Sequence, residues 1–235
     1  MRATSFALIA WALSMSGCVV NTVRTGPLQH ETRSIERDGS ERAHVDLRMR
    51  AGELRVSGGA ADLMTADFTY NVPAWKPDIV YRSTAGRANL TVEQNTTGQT
   101  SLGNSKYEWD LRLNDEIPMD IAVQFGAGEA HLDLGSLSLR SVDVEMGVGE
   151  LKMDFRGSPK HDYDVRVRGG VGEATVYLPR NVGIDATARG GIGGIQVHGL
   201  RQQGGHWIND AYESAKVQIH VDISGGVGAI NLFAE

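Results

Sequence analysis

The sequence predicts an all-β protein, a stacked-repeat ladder of β-solenoid-like type in a single elongated domain. Three observations predict it. Glycine makes up 29 of 235 residues, about 12% against a usual ~7%. Apolar and polar residues alternate with period two through much of the chain beyond residue 40, the pattern of strands with one buried face. A unit of alternating strand, glycine step and second alternating strand recurs six times. No such unit buries its apolar face alone, so the units are expected to stack. A β-sandwich is the alternative, because regular short strands also suit that fold.

The chain opens with an address. Met1-Arg2 precede an uncharged stretch whose apolar core is residues 6–13. This is far shorter than the ~20 residues that span a bilayer, and a basic start with a short apolar run describes a secretory signal peptide. Residues 1–17 are read as that signal. The small residues Ser16 and Gly17 lead into Cys18, the single cysteine of the chain. Leu13-Ser-Met-Ser-Gly-Cys18 resembles a bacterial lipobox, with Met15 where leucine is usual. The resemblance implies cleavage before Cys18 and its acylation by diacylglycerol and a further fatty acid such as palmitate. Two or more chains anchor stably because each buried CH₂ contributes ~0.8 kcal/mol. Val19 rather than Asp after the cysteine implies, by the same resemblance, an outer-membrane lipoprotein. Its domain is expected on the periplasmic face in preference to the cell surface. Residues 18–40 are polar and patternless and read as the lipidated N-terminus and a flexible tether.

The repeat domain spans residues 41–235, with its most regular copies in 119–235. Its copies are residues 45–56, 121–134, 142–155, 165–178, 184–197 and 217–232. Their corner glycines are Gly52, Gly128, Gly149, Gly172, Gly193 and Gly228. From Gly128 onward the spacings are 21, 23, 21 and 35 residues, so an insertion lies in the last gap. The parity of the alternation changes at every one of these glycines. In the second copy apolar residues sit at odd positions up to Ala127 and at even positions from Ala130. An uncompensated slip would turn each later side chain outward. Six identical slips therefore imply a built-in bulge or corner, which glycine accommodates.

The recurring Gly-x-Gly-Glu step, the opening Ala51-Gly-Glu-Leu and the closing Leu178-Pro179 resemble the bacterial toast-rack family. They are also similar to the C-terminal domain of LiaF-type cell-envelope stress proteins and to adhesin-like domains. The resemblance covers residues 43–235. It implies a β-ladder fold and an envelope location, and no established activity. The lipobox departs from the LiaF type, which is embedded through helices, so a stress-sensing role transfers poorly.

The sequence offers little for catalysis, and the expectation is that the protein is not an enzyme. Glu53, Glu129, Glu150 and Glu173 follow the glycine step. Stacked, they could form a carboxylate ladder for a divalent cation. The reading preferred is that each accepts backbone N–H bonds at its own corner. The seven histidines form no metal-ligand spacing, and neither a metal nor another cofactor is expected. No nucleophile-elbow motif occurs, and Gly-Gly-Val-Gly leads into a strand rather than a helix, which argues against phosphate cradling. A net charge of −6 without basic runs argues against nucleic acid. A polysaccharide-active β-solenoid enzyme is the third reading. The leading reading is a scaffold or interaction module for an envelope protein or cell-wall glycan, and the second a surface-exposed adhesin. Binding is expected where the ladder is interrupted, because loops on rigid scaffolds carry function. Residues 199–214 bring His206, Trp207 and Tyr212 out of the repeat as a partner-binding loop. Residues 94–107 are a second irregular segment.

Overall fold

A computed structural model describes residues 22–23, 25–95, 100–101 and 105–235. Residues 1–17, read as a signal, and Cys18 and Val19 lie outside the described residues. The strands in chain order are β1 (Thr22–Val23), β2 (Gln29–Ile35), β3 (Arg42–Ser57), β4 (Met64–Tyr70), β5 (Pro77–Thr84), β6 (Arg87–Gln94), β7 (Thr100–Ser101) and β8 (Tyr107–Leu113). They continue with β9 (Met119–Asp133), β10 (Leu139–Asp154), β11 (Tyr163–Leu178), β12 (Gly183–Ile192), β13 (Ile195–His198), β14 (Arg201–Gln203), β15 (His206–Ile208) and β16 (Gln218–Ala234). One 3-10 turn, Pro73–Trp75, precedes β5. Among the described residues no helix is long and apolar enough to cross a membrane.

Fourteen strands form one mixed sheet, and β1 pairs with β7 apart from it. Its centre is an in-register parallel stack in the order β3, β9, β10, β11, β16, β12. The ladder reading holds, and the sandwich of separate sheets does not form. Each long strand turns through its glycine step and contributes two arms. The inward residues of both arms belong to one core: Val142, Val144 and Met146 before the corner of β10, and Leu151 and Met153 after it. The edge of β3 divides at that step. Its first arm pairs with β6 and its second with β8. The sheet thus folds along the column of corner glycines and encloses the core between its walls.

The glycines make the fold possible for two reasons. Gly149 has φ +139°, and a Cβ placed on it would lie 1.9 Å from the carbonyl oxygen of Gly128 in the strand below. Only glycine tolerates both the backbone region and the contact. Paired corners repeat this relation along the stack, Gly172 on Gly149 and Gly193 on Gly228 among them. The residue between the two glycines of each step points outward. Val148, Val171, Val227 and Ile192 are 53%, 47%, 45% and 73% exposed. They stand opposite one another in register and form an apolar ridge along the fold line.

The stack departs from sequence order in one place. The sixth copy, β16, lies between β11 and β12, so the fifth copy is outermost. The insertion of residues 199–217 carries the chain past β12 and back. At the other end, β8 pairs parallel with one arm of β3 and is followed by β4 and β2 in antiparallel pairing, while β6 pairs parallel with the other arm and β5 antiparallel with β6. Trp109 anchors this end, 1% exposed and edge-on to Phe68 at 5.6 Å between ring centres.

The tether reading needs correction for part of its length. Gln29–Ile35 is a strand, paired along its whole length with β4. Only His30, Ile35 and their neighbours supply weak alternation, so the strand has little side-chain signal. Its stability comes from backbone bonds and from surface pairs, such as Lys76 with Glu31 at 3.1 Å.

Candidate functional site

The strongest cluster of polar chemistry sits at the β12 end, where the insertion folds onto the ladder. Gly199, at φ +74°, starts the departure. Strands β14 and β15 then pair antiparallel through the two-residue turn Gly204-Gly205, both at positive φ, as a tight hairpin requires. β15 lies antiparallel against the start of β12, with Ile208 opposite Asp185 and Trp207 opposite Ala186. Asn209 fixes this arrangement from within. It is 5% exposed, accepts the Ile184 backbone N–H at 3.0 Å and donates to the Val182 carbonyl at 2.7 Å.

This packing separates the three residues of the insertion read as a binding loop. His206 faces solvent, with Nδ1 2.6 Å from Oδ1 of Asp185. Trp207 turns the other way and packs against the hydrophobic core. Tyr212 is half-buried, its backbone beside Gly183 at the start of β12. His220 of β16 approaches the same carboxylate from the other side, its Nδ1 3.8 Å from Oδ2 of Asp185. Asp185 is thus held between two imidazoles and is the least exposed of the three side chains. Asp164 and Arg166 of β11, with Thr187 and Asp222, complete a shallow depression of about 240 Å³. Asp185 and His220 were not legible as partners of His206. They meet only because β16 lies beside β12, with Asp185 and His220 in register.

The post-corner glutamates do stack. Glu108, Glu53, Glu129, Glu150 and Glu173 follow one another in register across β8, β3, β9, β10 and β11. Their hydrogen-bond partners differ from the expectation. Glu53 is held by Arg55, and Glu173 accepts from Asn231 at 2.6 Å. Side chains of the next outward column, two residues along each strand, satisfy these carboxylates rather than backbone N–H groups at the corner. Ligand atoms of Glu53, Glu129 and His131 come within 4.8 Å of one another. Arg55 already holds Glu53, and no polar group here is buried enough to demand an ion.

Elsewhere on the outer face opposite charges sit on adjacent strands. Arg166 meets Asp143 at 3.3 Å, Arg168 meets Glu145 at 3.0 Å, and Arg189 meets Asp222 at 2.8 Å. Asp154 and Arg156 pair two residues apart, and Arg156 also lies over the Tyr177 ring, 4.8 Å from its centre. Burial alone would raise the Asp154 carboxyl, but hydrogen bonds and charge from Arg156 outweigh it and hold it below the ordinary carboxylate range. Tyr177, Phe233 and His198 continue as a stack, with ring centres 5.3 and 5.0 Å apart. Their faces are spent on one another.

Residues 24–177 match the family model described as the N-terminal domain of toast_rack, DUF2154. Residues 127–232 match the model of the C-terminal domain of LiaF, described as a cell wall-active antibiotics response protein. No curated protein matches the chain. Among solved structures, a candidate cell adhesion protein from Clostridium sporogenes ATCC 15579 is 35% identical. It superposes with a TM-score of 0.86 over 89% of this chain and all of that one. A candidate adhesin from Bacteroides fragilis NCTC 9343, 11% identical, gives a TM-score of 0.33 over 88% of this chain and 97% of its own, too distant to bear on the argument. By the match over residues 24–177 and the shared ladder, the chain belongs to the toast-rack family.

Proposed function

We propose that the protein is a non-enzymatic interaction module of the cell envelope, lipid-anchored through Cys18, whose ladder presents its β12 end to an envelope protein or cell-wall glycan. The observation that carries this reading is the placement of the two ends. The strand nearest the N-terminus in the large sheet, β2, lies at one end, and the hairpin β14–β15 lies at the other. An acyl anchor at residue 18 therefore leaves the hairpin and the Asp185 depression on the far side of a stiff ladder. The LiaF-like match and the adhesion-related relative support an envelope setting. The depression is shallow and its carboxylate is already paired, which favours surface recognition over substrate capture.

A second reading, a surface adhesin, is favoured by the description of the 35% identical relative as a candidate cell adhesion protein. Fractionation and protease shaving separate the two. Wild-type protein is expected in the outer-membrane fraction and intact after proteolysis of whole cells, and Cys18→Ser protein in the soluble fraction. Loss of the domain from shaved cells overturns the periplasmic placement in favour of the adhesin. A Cys18→Ser variant that still pellets with membranes overturns the lipid anchor.

A further inference from the structure

The β12 end of the ladder carries an open edge. β15 covers β12 only at Asp185 and Ala186, and β13 pairs with β16 alone. Among the described residues, the outer edge of residues 187–198 pairs with nothing. Residues 189–196 are all exposed. Such an edge offers a row of free N–H and C=O groups to another strand. The edges at the opposite end are guarded in the usual way. β2 carries Glu31 and Arg33, and β5 begins at Pro77 and carries Asp78 and Arg82. The open edge has no such guard. Its one full charge, Arg189, is neutralised by Asp222, and its centre is Ile192, 73% exposed at the end of the apolar ridge.

We infer that this edge is a homophilic docking strand. A second copy of the chain pairs antiparallel with residues 187–198 about a two-fold axis between Ile192 and Gly193.

Three features identify the occupant as a second copy. The first is symmetry of coverage. The hairpin stops at Ala186, and about the proposed axis the mate of Ala186 is Gly199, the residue just beyond β13. The uncovered stretch is therefore centred on the corner itself. A folded strand with an arm on each side maps onto itself when rotated about the line that bisects the fold.

The second is the parity slip. Inward residues of the first arm, Ala186 and Ala188, are even, and Val197 of the second arm is odd. Antiparallel pairing about this axis sets Ala188 opposite Val197, Arg189 opposite Gln196 and Gly190 opposite Ile195. Inward then meets inward and outward meets outward, as cross-strand pairing requires. Ile195, 40% exposed, comes over the bare backbone of Gly190, so the bulky residue meets the small one.

The third is the state of the edges at the opposite end. A head-to-tail extension needs a receptive edge there, but both arms of β3 are covered and the outermost strands, β2 and β5, carry the charges and the proline that guard them. A copy that uses the same surface on both sides gives a closed, isologous pair. In that pair the two β2 strands lie at opposite extremes. The contact therefore suits copies anchored on facing surfaces. This consequence rests on the interaction-module reading, whereas the pairing itself does not.

The test uses the full-length chain in its own membranes, as two differently tagged copies. One copy carries Arg189→Cys and the other Gln196→Cys. Both residues are exposed, and directly opposed positions lie ~4.5–5.5 Å apart, within disulfide reach. Mild oxidation is expected to link the two tags into a dimer, above the background of the unsubstituted chain, only when both variants are present. Either variant alone places its cysteines about seven residues apart along the paired strands, roughly 23 Å in extended chain, and is expected to stay monomeric. Adding Ile192→Lys to both copies is expected to abolish the dimer, since two ammonium groups would meet at the axis. Absence of the mixed dimer, equal crosslinking of a single variant, crosslinking to a different protein, or a dimer that survives Ile192→Lys each overturns the inference. Because the readout is copy-to-copy linkage, its failure leaves the interaction-module reading to stand or fall on fractionation and shaving.

Discussion

A Cβ added to Gly193 would lie 1.7 Å from the carbonyl oxygen of Gly228. The two corners touch backbone to backbone, with no room for a methyl group, at the joint between the fifth and sixth copies. The same relation holds between Gly149 and Gly128 in the middle of the stack. Gly149→Ala therefore meets both a steric clash and a positive φ of +139°. The expected loss is about 3 kcal/mol or more, read as a lower midpoint in chemical denaturation. Gly194, one residue past the corner, has open space around its Cβ position. Gly194→Ala is expected to change stability by less than about 0.5 kcal/mol. Equal effects at the two positions would show that the corner contact does not govern the fold.

Not every glycine near the corner is needed. On the inner side of the corner the early copies have Met49, Phe125 and Met146, whereas later ones have Gly169 and Gly225. Ile230 closes over Gly225 at 3.4 Å, but Gly169 has Ala174 beyond its corner and only the Ser224 carbonyl oxygen, at 3.9 Å, near its Cβ position. Its φ is not positive. Gly169→Ala should stabilise the protein by about 0.4–1 kcal/mol, through a less flexible unfolded chain and better filling. A lower denaturation midpoint would contradict the packing described for β11.

Asn209 serves two buried backbone groups at the root of the insertion, the Ile184 N–H and the Val182 carbonyl. Asn209→Ala leaves the Ile184 N–H and Val182 carbonyl without it, at a cost of about 1–3 kcal/mol. Amides of β15 are expected to lose hydrogen-exchange protection first, with β9 and β10 unchanged. Uniform loss of protection across the ladder would mean that the insertion is not a separable unit.

Asp154 gives the protein an acid-sensitive contact. Its carboxyl is held below its ordinary 3.8 in the folded state. The stabilisation is thus present above pH ~4 and is lost as pH falls through the lower folded value. Both partners remain partly exposed, so the contribution is below about 1 kcal/mol. Arg156→Gln should lower stability at pH 7 and flatten its decline between pH 4 and 2. An unchanged acid slope would show that Asp154 draws no stability from Arg156.

Much of the ladder could be read from residues alone because its rules are local. The parity slip at Gly128 or Gly149 needs only alternation on either side, and the structure places a corner there with the neighbouring strands kept in register. Features set by long-range pairing were not legible. Nothing near Val217 tells β16 to enter between β11 and β12, beyond the 35-residue gap from Gly193 to Gly228. Without that order, His220 could not be set against Asp185, and the candidate site stayed hidden. Gln29–Ile35 was missed because its partner, β4, supplies the order through backbone bonds that polar side chains do not advertise. Trp207, conspicuous in a polar insertion, proved to be a packing residue because β15 alternates and gives its outward position to His206.

The place of β16 also bears on how the chain assembles. The copies are synthesised from the first to the last, so β3, β9, β10 and β11 are available to pair with one another before β16 exists. β12 cannot take its final place among them first, because the seat beside β11 belongs to residues 218–234, which follow it in the chain. Until then the fifth copy waits with its apolar face uncovered. Completion depends on the final strand sliding between two neighbours, so a stop codon anywhere in β16 would cost the molecule two coils rather than one.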